Sequence, residues 1–202
     1  MLKKIVLLSA TAISAFALHM AEININDKDL EVAANFDVGQ FNDNVEPNTM
    51  FVGAKFLNPD KSHSTDSIST IDSYFETSFL MMREVGDNGI SVGLGIKLNY
   101  LSINDDSFSS LPLGIAVSYA LPLPNLVPMS LSGSVYYAPE VLCLSSQAND
   151  YLDYEINYDV ELIKNAGITL GYRSINTSYI NGSSTNSINY NSSFYFGFKV
   201  KF

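Results

Sequence analysis

The sequence is poor in the residue types on which most catalytic and metal sites depend. Among 202 residues it has one cysteine, Cys143, two histidines, His19 and His63, and no tryptophan. A single cysteine excludes an intramolecular disulfide and a cysteine-rich metal site. Two histidines leave little for histidine-based catalysis or for zinc. We therefore expect no catalytic residue, no cofactor and no metal site.

Positive charge is also scarce. The chain has 11 Lys and Arg against 21 Asp and Glu, for a net charge of -10 and a pI near 4.4. A protein that binds nucleic acid needs a basic face to meet the phosphates, so this class is excluded. Charged residues make up 16% of the chain, below the roughly 25% that is typical of a soluble domain.

The first twenty residues have the features of a secretory signal peptide. Lys3 and Lys4 precede a largely apolar run over residues 5–17, which ends in Ala15-Phe16-Ala17, the small-x-small pattern of a cleavage site. The run is too short to cross a bilayer as a helix, which needs roughly 20 apolar residues. We predict a signal peptide at 1–17, with cleavage after Ala21 as the alternative, and a single mature domain at 18–202.

The rest of the chain alternates between apolar and polar residues, as strands with two different faces do. Residues 107–138 lack charge, but their four prolines argue against a helix because each interior proline costs about 3 kcal/mol. Residues 151–162 alternate without error. The pattern predicts an all-β mature chain with nine strands, at 30–38, 50–57, 74–84, 90–100, 111–121, 129–138, 151–162, 168–175 and 194–202.

Three features favour an antiparallel transmembrane β-barrel over a soluble periplasmic barrel. The longer strands match the roughly 9–11 residues that a tilted membrane strand needs. Tight turns at 86–89 and 164–167 alternate with long polar loops at 58–73, 102–110, 141–150 and 177–191, which is typical of outer-membrane barrels. The aromatic closing strand, with Phe198, Val200 and Phe202 at alternate positions, resembles the signal by which such barrels are recognised for assembly.

The number of strands presents a parity problem. Bacterial single-chain barrels have an even number of strands, and a first strand at 30–38 would leave the mature amino terminus outside the cell. Either this segment is not a membrane strand, or another strand precedes it. We predict eight strands, with ten as the second choice.

Four short motifs resemble the YfaZ-type outer-membrane proteins of Gram-negative bacteria. They are Asn-Asp-Lys-Asp-Leu-Glu at 26–31, Leu-Pro-Leu-Pro at 121–124, Tyr-Tyr-Ala-Pro-Glu at 136–140 and Gly-Tyr-Arg at 171–173. None of these motifs is catalytic. The resemblance implies a small outer-membrane β-barrel without an established activity, so no functional residue can be transferred from it.

Charged residues on the polar faces of the strands form the main candidate site. If the apolar face of residues 151–162 meets lipid, the acidic residues between them point into the lumen. Like charges in a narrow interior repel strongly unless they are paired. We predict an internal charge network that fills and holds the barrel, made of Lys97, Asp153, Glu155, Asp159, Glu161, Arg173 and Lys199.

Two other groups are weaker candidates for chemistry. His63 lies among Ser62, Ser64 and Asp66, but neighbours in one loop do not make a catalytic triad, which depends on positioned geometry. The Asp105-Asp106 pair lacks the spaced ligands of an EF-hand loop. We interpret both as parts of solvated outer loops.

These observations predict an exported protein of the bacterial outer membrane with a structural or interaction role. Its expected partners are outer-membrane lipid, lipopolysaccharide and, during biogenesis, the barrel-assembly machinery. A narrow, passive, cation-preferring channel lined by the acidic strand is the alternative function. A lipid-modifying barrel enzyme comes third because histidine is so scarce.

Overall fold

The computed structural model describes residues 20–59, 72–103, 106–123, 127–145, 148–181 and 184–202. The predicted signal peptide lies outside these residues. Among the residues described, no helix is long and apolar enough to cross a membrane. The strands are β1 Met20–Ile25, β2 Asp29–Asp37, β3 Met50–Pro59, β4 Tyr74–Glu84, β5 Ile90–Ile103, β6 Asp106–Ser110, β7 Leu113–Ala120, β8 Met129–Ala138, β9 Ala148–Ile163, β10 Ala166–Asn181 and β11 Ser184–Lys201.

The strands close into one antiparallel barrel. Except for β6 and β7, each strand pairs with the next along the chain, and β1 closes the sheet by pairing with β11. Both β6 and β7 pair with β5, separated only by Leu111 and Pro112. Because proline has no N–H to donate to the ladder, the pairing is interrupted there. We therefore count β6 and β7 as one broken strand, and the described residues form a barrel of ten strands.

The prediction of eight strands is wrong, and the second choice of ten is correct. The strand that the sequence pattern missed is β1, Met20–Ile25, which has only six residues and follows the predicted signal peptide directly. It resolves the parity problem, because Met20 pairs with Lys201 and both ends of the folded chain lie at the same end of the barrel.

Two of the predicted long loops are also wrong. Most of residues 102–110 belong to the end of β5 and to β6, and most of 177–191 belong to the β10–β11 hairpin. Asn and Ser have low β-propensity, so these segments read as loops, but pairing across the hairpin provides their backbone groups with hydrogen-bond partners. The tight turns are confirmed: Gly86 and Asn165 have φ values of 69°, which favour glycine and asparagine.

The distribution of apolar and charged side chains over the two faces of the sheet is the reverse of that in a protein that folds in water. Large apolar side chains cover the outer face, where Leu94 is 70% and Phe194 is 79% exposed. Charged side chains such as Arg173, Asp153 and Lys97 are buried inside. An apolar outer face with a polar interior is the arrangement of a transmembrane barrel.

The two ends of the barrel differ. At the terminus end lie Met20, Lys201, the tight turns after β4 and β9, and the longer connection between β2 and β3 with the 3-10 turn Val38–Gln40. At the opposite end, which we call the loop end, lie the β10–β11 connection and the connection after β8 with its single 3-10 turn, Glu140–Leu142. The positions of interior features along the lumen are given below relative to these two ends.

Candidate functional site

Paired charges cross the middle of the lumen. Within the part of the chain that the structure describes, each of four interior cations contacts two carboxylates, so seven carboxylates take part. The contacts are Lys55 Nζ to Glu31 (3.6 Å) and Glu155 (2.9 Å), Lys97 Nζ to Glu76 (3.2 Å) and Asp153 (2.5 Å), Lys199 Nζ to Glu22 (3.6 Å) and Asp159 (2.7 Å), and Arg173 to Asp29 and Glu31. We call this set the charge belt.

The charge belt joins strands that are far apart in the sheet. Lys55 on β3 reaches Glu155 on β9. Lys97 on β5 reaches Asp153, which also lies on β9. Neither of these pairs of strands is hydrogen-bonded through the backbone. The ion pairs therefore run across the lumen and connect opposite walls of the barrel.

Arg173 has the most completely buried charge of the belt. Its side chain is inaccessible to solvent, and its two terminal nitrogens donate separately to Asp29 and Glu31. The guanidinium also lies over the Tyr195 ring, 5.0 Å from the ring centroid. The planar fork of arginine can serve two carboxylates at once, which lysine cannot do in the same geometry.

Glu155 is the second centre of the belt. Its carboxylate accepts hydrogen bonds from Lys55 Nζ at 2.9 Å, from Asn157 Nδ2 at 2.7 Å and from the Tyr195 hydroxyl at 2.7 Å. With three donors, this partly buried carboxylate, whose side chain is 16% exposed, has the partners that it needs.

Most of the residues predicted for the interior network lie in the belt. Glu161 is the exception: it pairs with Lys201 at 3.2 Å on the rim of the terminus end, where the two side chains are 30% and 49% exposed. Sequence reasoning missed five members of the belt. The period-two pattern of the early strands could have placed four of them on inner faces, but Glu22 lies in the strand that was not predicted. The missed members are Glu22, Asp29, Glu31, Lys55 and Glu76.

Apolar side chains fill the lumen towards the loop end. They include Leu57, Tyr74, Leu101, Tyr151 and Ile175, all of which are buried. The Tyr74 hydroxyl donates to Glu76 at 2.5 Å and lies 2.8 Å from the Tyr151 hydroxyl. We call this cluster the apolar plug. The hydrogen bond from Tyr74 to Glu76 connects it to the charge belt.

Together, the plug and the belt fill much of the lumen. Every barrel strand contributes at least one inward side chain that is no more than 3% exposed. In strand order, these side chains are Asn24, Glu31, Leu57, Tyr74, Leu101, Phe108, Ala138, Tyr151, Arg173 and Asn191.

On the other side of the belt, the lumen contains a cavity. It has a volume of about 220 Å³ and continues into a second space of about 320 Å³ that reaches Phe51 and Met82 near the terminus end. Small inward residues on β7 and β8, among them Ala116, Ser132 and Ser134, line both spaces. The lumen is thus filled in its loop-end half and hollow in its terminus-end half.

The predicted assembly signal lies on the outer face of the barrel. Phe198 in β11 and Phe202 just after it are both half-exposed, on the side where lipid would lie. Their role in assembly, together with that of Val200, remains a prediction. His63 and Asp105 lie outside the described residues.

Comparison with known proteins identifies the family to which this chain belongs. No curated protein matches this chain. Among solved structures, the chain is similar to a KdgM porin with 9% identity and a TM-score of 0.44, over 91% of this chain and 98% of that chain. The family model described as "YfaZ precursor" matches residues 2–202, which is nearly the whole sequence. The chain therefore belongs to the YfaZ family.

Proposed function

We propose that this protein is an integral β-barrel of the bacterial outer membrane with a structural or interaction role and a closed lumen. The observation that carries this proposal is the buried layer to which every barrel strand contributes, inside a sheet with an apolar outer face. Lipid offers no hydrogen bonds to backbone groups, so membrane strands must close on themselves. An interior filled by side chains leaves no path for passive flow.

The proposed orientation places the terminus end in the periplasm. Met20 and Lys201 are paired at this end, and a chain that is exported from the cell interior reaches the barrel from the periplasmic side. In outer-membrane barrels the short turns face the periplasm and the longer loops face outwards. The turns after β4 and β9 fit this orientation, although the longer connection between β2 and β3, residues 38–49, lies at the same end.

Fractionation tests the location. The protein should sediment with outer-membrane material and should migrate differently on gels with and without heating, because an intact barrel resists unfolding by detergent. Recovery in the soluble periplasmic fraction would support a soluble barrel and refute the membrane proposal.

The alternative function is a narrow cation-preferring channel, and the excess of seven carboxylates over four cations in the belt favours it. Conductance of the purified mature protein in a planar bilayer separates the two functions. We expect a folded barrel without steps. Discrete cation-selective steps that lose selectivity in Glu155→Gln would establish the channel and refute the closed lumen.

A variant without the plug and without part of the belt provides the positive control. Tyr74 and Tyr151 touch each other across the plug, and Lys97 and Asp153 pair across the belt. Replacing all four with alanine should therefore open a path and produce current. The matched control is Leu98→Ala, which shortens an outward-facing side chain of β5 and should remain silent.

Cysteine labelling tests from which side the lumen can be reached. Burial raises the pKa of the Cys143 thiol, and the nearby Asp150 and Glu140 carboxylates act in the same direction, so Cys143 should react slowly; Cys143→Ser removes it altogether. In that background, Ser134→Cys in the cavity should react with a small, charged maleimide that does not cross the outer membrane only after this membrane is permeabilised. Leu101→Cys in the plug should not react in either case. Labelling of Ser134→Cys in intact cells would contradict the proposed orientation.

A further inference from the structure

Glu22 is the most weakly paired carboxylate in the wall of the cavity. Its side chain is 10% exposed, and it lines the 220 Å³ space. Among the described residues, nothing donates a hydrogen bond to its Oε1 atom. Its Oε2 atom lies 3.6 Å from Lys199 Nζ, but that ammonium is closer to Asp159, at 2.7 Å.

The other carboxylates of the same wall have close partners. Glu31 binds Arg173, Glu76 lies 3.2 Å from Lys97 Nζ, and Glu155 accepts three hydrogen bonds. The surplus negative charge of the cavity therefore lies at Glu22. A buried carboxylate oxygen without a donor is unfavourable, so the site favours a ligand that brings N–H donors and one positive charge.

We propose that this cavity binds a small molecule carrying a primary ammonium group, with Glu22 as the acceptor. Calcium and magnesium fit less well, because they take about six or more oxygen ligands and the other wall carboxylates are already paired. The ammonium of Lys199, 3.6 Å from Glu22, also disfavours a doubly charged ion.

The rest of the wall fits a small polar molecule. Ser132, Ser134 and Asn157 line both spaces of the lumen and can donate to or accept from a hydroxyl group. The 220 Å³ space corresponds to about seven water molecules of roughly 30 Å³ each. A ligand with a similar number of non-hydrogen atoms would fill it. The inference extends the proposed function and does not depend on whether the barrel conducts.

Methionine methyl groups provide a direct readout in the refolded mature protein. Met20 lines the cavity, whereas Met129, whose sulfur accepts a hydrogen bond from Tyr158, serves as the control. With ¹³C-methyl methionine, ethanolamine should shift the Met20 resonance saturably and leave that of Met129 unchanged. Tetramethylammonium, which is a cation without N–H groups, and acetate should cause no shift at equal ionic strength.

Variants then test the role of Glu22. Glu22→Gln keeps the shape of the side chain and should weaken ethanolamine binding at least tenfold, while Glu161→Gln, at the rim pair with Lys201, should bind as the parent does. If Glu22→Gln does not fold, Ser132→Leu should abolish the shift by filling the cavity. The absence of a saturable shift, an equal response to tetramethylammonium, or unchanged affinity in Glu22→Gln or Ser132→Leu would overturn the proposal.

Discussion

Removal of the Arg173 guanidinium should destabilise the barrel more than removal of any charge on its rim. Arg173→Ala leaves Asp29 and Glu31 buried without the cation that serves both of them. Breaking a buried ion pair by removing one partner typically costs about 3–5 kcal/mol, because the remaining charge is left uncompensated. The loss of the contact with the Tyr195 ring acts in the same direction.

A matched control lies on the same barrel. Lys201 and Glu161 form an ion pair at the rim, where Lys201 is about half-exposed, and a solvent-exposed pair of this kind is typically worth about 0–1 kcal/mol. Lys201→Ala should therefore change stability little. Arg173→Lys should fall between the two variants, because one ammonium cannot reproduce the two separate contacts of the guanidinium.

The assay is equilibrium unfolding by urea of the mature protein folded in detergent micelles. The folded fraction at each urea concentration is measured from the heat-dependent shift in migration on gels. If Arg173→Ala lost no more stability than Lys201→Ala, the charge belt would not hold the barrel together. Combining Arg173→Met with Asp29→Asn and Glu31→Gln provides a further check. This combination should recover part of the loss, because it removes the unpaired charges as well as the pair.

Three further predictions concern the interior and the amino terminus. Glu155→Ala should lower the unfolding temperature, at a cost of about 3 kcal/mol, because Lys55 keeps only the 3.6 Å contact with Glu31; an unchanged temperature in a thermal scan would contradict this. Gly114→Ala should cost about 1–3 kcal/mol, because the new Cβ would overlap the Tyr136 ring, whereas Gly133→Ala should cost little, since its nearest neighbour is 3.4 Å away; equal urea midpoints for the two would refute this packing. Mass spectrometry of the mature protein should find Leu18 at the amino terminus, because cleavage after Ala21 would remove two residues that β1 pairs with Lys201 and Val200.

The direction in which most side chains point could be predicted from the sequence. Successive side chains of a strand lie on opposite faces, so strict alternation over residues 151–162 placed Asp153, Glu155 and Asp159 inside without knowledge of any partner strand. Two strands, Tyr74–Glu84 and Met129–Ala138, have the predicted bounds. The first contains Tyr74, Phe75 and Phe79, and the second ends with Val135, Tyr136, Tyr137 and Ala138; tyrosine, phenylalanine and valine have high β-propensity.

The strand number could not be predicted in the same way. β1 has six residues, too few for alternation to stand out beside the apolar run that precedes it, and its pairing with β11 joins residues from opposite ends of the chain. The β10–β11 hairpin was missed in part because its Asn and Ser residues resemble a loop until they are paired.

The local alternation of the sequence by itself determined that the mature chain is all-β and that each strand has one apolar and one polar face. The strand lengths, the alternation of turns and loops and the aromatic closing strand added the expectation of a transmembrane barrel. Only the tertiary structure decided that ten strands close it, that Lys55 meets Glu155 a hundred residues away, and that the lumen is filled at one end and hollow at the other. The physical reason is that side-chain direction follows from a period of two along one strand. Closure, register and cross-lumen pairing depend on contacts between strands that are distant in the chain, and no local pattern records them.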